Sequence, residues 1–291
     1  MSVRTVFRRA GLAGAVVVAA AIAILTHAAL PSDLDGVPFS GVLINTLGFE
    51  VVAVGYFLLV FSHCTWVVAR FGPWLNLSRL QTGLRIGLSF ALLYMLGMQE
   101  VVVEASPFAD WGAWFVWFQL LMGLGDGLAV TVLCLLAARI LFSGKHQGRK
   151  GPLFRRPDRW TMVLVTLLFF AQRMIRMTGN LIDHNLGRYP VQTMVWTLVF
   201  GMALGFACSQ LLPDGREFDV PGALRIGVLA VGLNWMIYNS FIGMIFEATM
   251  VPMLLRSGID AAVLTLGLVL AVYVRQLRLD PLPERRRGEQ E

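Results

Sequence analysis

Charged side chains are scarce. Asp, Glu, Lys and Arg make up 14% of the 291 residues, against about 25% in an ordinary soluble domain, so too few are present to wet the surface of a globular protein of this length. Cysteine is nearly absent. Cys64, Cys134 and Cys208 form an odd set with no CxxC pair, each inside an apolar stretch, which excludes a disulfide framework and a thiolate metal site. There are four histidines: His146 falls in a basic loop, His27 and His184 near the ends of apolar runs, and only His63 inside one. A b-type haem needs two histidines at one depth on facing helices, and that pair is missing. HExxH, GxSxG, a His-rich di-iron pattern and the paired DxxxD of membrane prenyl transfer are missing as well. The sequence therefore implies no metal and no cofactor.

What fills the chain instead is apolar. Hydrophobic residues make up 57% and the mean hydropathy is +0.69. A membrane span takes about 20 apolar residues, and eight such stretches follow one another, at 10–30, 45–69, 82–104, 112–142, 160–180, 192–212, 222–246 and 253–276. The fold class expected is an all-α integral membrane protein with eight transmembrane helices. The formal charge of +6 has a topological explanation. Of 24 Lys and Arg, all but Arg173, Arg176, Arg188 and Arg256 lie at the N-terminus, in alternate connections and their helix ends, or in the C-terminal tail. That is the positive-inside pattern for a multi-pass protein of a bacterial inner membrane with both termini cytoplasmic. The basic residues thus call for no nucleic acid; the run from Lys145 to Arg159 faces anionic headgroups at most. The first stretch, preceded by Arg4, Arg8 and Arg9, also reads as a signal peptide; the duplication described next requires it as a helix.

LRIG occurs at 84–87 and again at 224–227. Each copy follows an apolar helix with a cysteine near its end, Cys64 or Cys208. Each precedes a helix ending in Glu104 or Glu247, a connection with Pro107 or Pro252, and then an aspartate followed five residues later by threonine, in DGLAVT at 126–131 and DAAVLT at 260–265. This order implies two four-helix repeats, 1–142 and 160–291, joined by a basic cytoplasmic linker at 143–159. Four spans return the chain to its starting side, so the repeats share one orientation and are related by an axis along the membrane normal. Arg85 and Arg225 of the two copies read as interfacial anchors that extend into the headgroups.

A charge near the bilayer centre costs roughly 2.5–3.5 kcal/mol and usually marks a pathway, a relay or a buried pair. Asp126 and Asp260 fall at corresponding, deep places of the two repeats and are expected to face one another. Gly123, Gly125 and Gly127 around Asp126 have two uses: close helix packing, or local unwinding that exposes carbonyls to a substrate. Arg173 and Arg176 are one turn apart, about 20–24 Å along their helix from Trp160, and point the same way. Their expected partners are Glu100 and Glu104, with Glu50 and Glu247 at similar heights; Arg256 lies one turn from Asp260. Six of the eight tryptophans, Trp66, Trp74, Trp111, Trp114, Trp117 and Trp160, read as interfacial belts.

Three function classes fit. The first is a transporter or channel-like protein in which Asp126 and Asp260 take a cation or proton and Arg173 and Arg176 meet an anionic group. The second is an enzyme or flippase acting on a lipid-linked substrate at the outer leaflet. The third is a non-catalytic subunit or sensor, for which a second copy or another membrane protein would be the partner. A solvated cleft reaching Asp126 marks the first, a pocket opening sideways to lipid the second, and full pairing of the buried charges the third.

Overall fold

The computed structural model describes residues 3–30, 39–100, 112–142, 152–182, 184–213 and 218–279. Among them are eight helices long and apolar enough to cross a membrane, numbered here by span: α1 Val3–Ala29, α2 Phe49–Phe71, α3 Arg79–Gly97, α4 Gly112–Leu141, α5 Arg159–Thr178, α6 Pro190–Gln210, α7 Val220–Ile245 and α8 Met250–Leu279. A single-turn helix at Val42–Leu47 and a 3-10 turn at Gly72–Leu75 precede and follow α2. Glu104, Pro107, His146 and linker residues 143–151 lie outside the described residues.

Local chemistry starts and stops these helices. Ser78 caps α3 by accepting from the Gln81 amide, and Asp158 caps α5 by accepting from Thr161, each satisfying one of the orphan donors of a first turn. Pro190 opens α6 and Pro221 sits in the first turn of α7, where a missing N–H costs nothing. Burial would raise the Asp158 carboxyl, but Arg275 at 2.6 Å and the Thr161 amide outweigh it and hold the carboxyl below its usual range.

The helices pack in the same pairs in both halves. α1 lies on α4 and α2, and α4 on α3; α5 lies on α8 and α6, and α8 on α7. Between the halves α3 meets α6 and α2 meets α7. Lipid offers no hydrophobic drive for helices to associate, so close backbone approach has to supply it. The α3–α4 seam shows how. A Cβ added at Gly83 would fall 2.8 Å from the Cys134 carbonyl oxygen, one at Gly87 2.8 Å from Thr131 Cα, one at Gly127 3.1 Å from Ala91 Cβ and one at Gly123 2.7 Å from Met95 Cα. Helix α4 is continuous through 123–127, so its glycines serve packing and no unwound substrate site forms there. The second LRIG glycine repeats the first: a Cβ at Gly227 would fall 2.8 Å from Thr265 Cα.

The two LRIG arginines part company. Arg225 is exposed above the Trp74 ring at 5.9 Å, as an interfacial anchor should be. Arg85 corrects the expectation: it is 1% exposed and donates from Nε to the Leu153 carbonyl and from Nη2 to that of Pro152, both at 2.9 Å. The same segment is held by the second half, where Gln210 exchanges two hydrogen bonds with the Arg155 backbone and Ser209 accepts from the Asp158 amide. Arg85 thus fastens the end of the linker under the bundle rather than reaching for lipid. Helix α7 departs from its counterpart α3 as well. Residues Arg225–Gly232 form a π-helical stretch, and the Leu233 amide reaches back five residues to Val228.

Candidate functional site

Among the described residues, a buried ion-pair cluster lies at the meeting of α5, α8, α7 and the residues just beyond α3. Arg173 is fully buried. Its Nε donates to Asp260 Oδ1 at 3.0 Å, and its Nη2 donates to Asp260 Oδ2 at 2.5 Å and to Glu100 Oε1 at 2.6 Å. A planar guanidinium fits both oxygens of one carboxylate with donors to spare, and one arginine therefore ties two helices and the end of a third together. Asp260 also accepts from the Gln172 amide at 2.7 Å and from the Trp235 indole N–H at 3.1 Å. Arg176 stands 3.9 Å from Asp260 and donates to Gln172. Arg256 reaches Glu100 at 3.5 Å and the Asn239 amide oxygen at 3.1 Å. Arg256, read from the sequence as one turn from Asp260, is 5% exposed and belongs to the same cluster through Glu100.

Of the acidic residues expected near the arginines, the structure brings in Glu100 and leaves out two. Glu50, in the first turn of α2, and Glu247, after the end of α7, are both exposed at helix ends; Glu104 falls outside the described residues.

Asp126 occupies a second buried site. It is 2% exposed on α4 and its Oδ1 lies 3.0 Å from His27 Nε2 of α1. Sequence reasoning passed over His27 because its helix is otherwise Ala, Val and Ile, and a histidine near a helix end looks interfacial. The available signal was the repeat expected from the sequence: if α8 sets an aspartate against cations of α5, that expectation has α4 set its own against a side chain of α1. The two aspartates therefore do not share one ligand. Asp126 is engaged by α1 and Asp260 by α5.

An aromatic layer joins the halves. Tyr94 and Tyr238 stack with ring centroids 5.0 Å apart, Tyr238 stacks on Trp235, and Trp235 meets Phe200, which stacks on Trp196. Trp196 donates to the Leu96 carbonyl across the α3–α6 contact. These two tryptophans, absent from the belt assignment, are 7% and 3% exposed; they are core residues whose N–H groups find buried acceptors.

One turn toward the linker end, the inside histidine has a structural use. Tyr94 donates to Asn234 Oδ1, and Asn234 Nδ2 donates to Cys64 Sγ at 3.4 Å and to His63 Nδ1 at 3.2 Å. The Cys64 thiol then faces the Tyr94 oxygen at 3.2 Å and closes a ring of hydrogen bonds. His63 Nε2 donates to the Leu229 carbonyl in the π-helical stretch at 3.0 Å. Both ring nitrogens are thereby committed in the neutral form.

Two further observations bear on chemistry. Among the described residues, no group of three His, Cys, Asp or Glu side chains could hold a metal ion. An apolar groove of about 490 Å³, lined by Met236 of α7 and Val251, Leu254, Leu255, Gly258, Ile259 and Ala262 of α8, opens on the face of α8 opposite Arg256 and Asp260. Comparison with protein families, with curated proteins and with solved structures finds no match. The functional reading rests on these side chains alone.

Proposed function

We propose that this membrane protein is a transporter for a small solute or ion that uses intramembrane carboxylates. One observation carries the reading: each half sets a deep aspartate of its last helix against a basic side chain of its first, Asp126 with His27 and Asp260 with Arg173. The buried charges are paired, as they also would be in a non-catalytic subunit. What favours transport is that buried charges are expensive, and a structure that only had to hold eight helices together would do as well with apolar side chains. In this reading Asp126 takes a cation or proton, and Arg173, Arg176 and Arg256 provide the electropositive side on which a small anion docks. The matched packing of α1–α4 and α5–α8, and the pairing of α2 with α7 and α3 with α6 between them, support two repeats of one orientation that rock about the aromatic layer.

The test uses protein reconstituted in liposomes with a trapped pH-sensitive dye, challenged with acetate, lactate, succinate and inorganic phosphate. At least one should move the dye signal beyond that of protein-free liposomes, which already pass undissociated acetic and lactic acid. Asp126→Asn should abolish that response while the protein stays folded, because the amide is isosteric and removes a buried charge whose partner, His27, can become neutral. A response that survives Asp126→Asn takes this carboxylate out of the pathway. A variant that unfolds instead favours a purely structural role.

The topology follows from the same proposal. Reporter fusions after Arg159 and at the C-terminus should be cytoplasmic, and fusions near Asp35, Asp110 and Asn185 external. An external C-terminus would refute the shared orientation of the halves.

The lipid-facing groove on α7 and α8 favours a second reading, a flippase or enzyme for a lipid-linked substrate, with an acyl chain in the groove and the polar group at the arginines behind α8. It predicts that Gly258→Leu, which fills the groove, blocks activity as completely as Asp126→Asn. In the small-solute reading Gly258→Leu leaves the dye response intact.

A further inference from the structure

Among the described residues, His27 is the histidine set against a buried carboxylate. It lies two residues from the end of α1, so the imidazole stands at the mouth of the span and Asp126 inside it. The pair is held in register. Thr26 packs on Gly125 so tightly that a Cβ there would fall 2.3 Å from Thr26 Cγ2, while the Thr26 hydroxyl is committed to the Ile22 carbonyl. The elements packed on α1 are α4 and α2. From α4 the ring meets Asp126, whose Oδ1 lies 3.0 Å from Nε2 as an ion-pair contact without an aligned hydrogen bond. From α2 it meets Phe57 in a T-shaped contact at 5.5 Å; the neighbouring Tyr56 donates its hydroxyl to the Tyr238 carbonyl. A ring facing a carboxylate has a partner for the imidazolium that the neutral ring needs less.

The second half solves the same problem with a different side chain. Arg173 faces Asp260 there, and a guanidinium never gives up its proton in a protein. Where the second half holds a permanent pair, the first holds the one pair type that changes charge near neutral pH. We propose that His27 and Asp126 form a proton-binding site that alternates between imidazolium–carboxylate and imidazole–carboxylate, one proton being gained from or lost to the adjoining aqueous phase at each change. Its role as the coupling site rests on the transport reading above; proton binding itself does not. Protonated, the site is neutral overall and can move through the low-dielectric interior. Deprotonated, it leaves one negative charge, which Asp126 cannot carry across without a cation.

The test is to write the second half's solution into the first. In full-length detergent-solubilised protein, melting temperature is followed from pH 5.5 to pH 8 for the wild type and His27→Arg. His63, His146 and His184 are common to both, so the difference between the curves isolates the site. The wild type should lose about 2–4 °C relative to His27→Arg as the pH rises, the shift an interaction of ordinary strength makes in a chain of this size. His27→Arg should be folded and flatter. Asp126→Asn, which leaves the imidazole without its carboxylate, should remove the same step. Parallel curves for the wild type and both variants overturn the proton site. The dye assay separates the two claims: an anion response that depends on Asp126 and persists in His27→Arg keeps the transporter and removes the proton as its coupling ion. If His27→Arg does not fold, the decision passes to Asp126→Asn: a step retained there overturns the site, and a step lost supports it.

Discussion

Arg173→Gln should lower the melting temperature markedly and reduce the folded protein recovered from the membrane, the largest loss expected from deleting any one charged group here. The guanidinium is fully buried and holds both oxygens of Asp260 and one of Glu100. Removing it strands two buried carboxylates, and breaking a buried pair by deleting one partner costs about 3–5 kcal/mol, a large share of the roughly 5–15 kcal/mol that keeps a domain folded. Gln172 and Trp235 still donate to Asp260, and Arg256 still reaches Glu100, so the loss should fall toward the lower end of that range. Arg173→Lys should be intermediate, because an ammonium keeps the charge but cannot span a carboxylate in two places. The informative variant is double. Arg173→Met with Asp260→Leu removes the bidentate pair rather than half of it, and should melt above Arg173→Gln even though more is deleted. Melting temperature and the monodisperse fraction after detergent extraction measure all three. An Arg173→Gln protein that melts with the wild type would mean that the cluster contributes no cohesion.

How far the cluster could be read beforehand depends on which kind of distance separates its members. Glu100, Arg173 and Arg176 were legible as a group because all are charged and all are deep along their own helices, and depth is counted in residues. Arg85 was misplaced for the same reason: depth along a helix does not say which way the side chain turns. Arg256 turns inward to Glu100, and Arg85 turns under the bundle to a linker carbonyl that no local pattern announces. The eight spans were legible because hydropathy windows need no partner. The π-helical stretch in α7 was not; its glycines, Gly227 and Gly232, differ in no local respect from the packing glycines of α3. His27 could be seen only through the repeat, by asking what in α1 answers to Arg173.

The LRIG copies themselves yield the second large effect. Gly87→Val and Gly227→Val should each abolish folded protein, and the alanine variants should each cost about 1–3 kcal/mol, the range for overpacking a tight interior. In both copies the new Cβ would fall 2.8 Å from the Cα of a threonine, Thr131 or Thr265. Because the obstacle is backbone, two helices must part to admit it. Each threonine is itself fixed, its hydroxyl donating at 2.7 Å to the carbonyl four residues earlier, Gly127 or Ala261. This contact explains why the glycine and the threonine recur together in the two halves while the arginine beside the glycine does two different things. Gly14 and Gly55 provide the control. They lie in α1 and α2 with nothing within 4 Å of an added Cβ, so alanine there should be neutral or stabilising by up to about 1 kcal/mol, the propensity difference between the two residues. Melting temperatures of the four alanine variants decide the matter. If Gly87→Ala and Gly227→Ala behave like Gly14→Ala, the close approach is not what holds α3 to α4 and α7 to α8. If one LRIG glycine is sensitive and the other is not, the tetrapeptide is a coincidence rather than the same joint built twice.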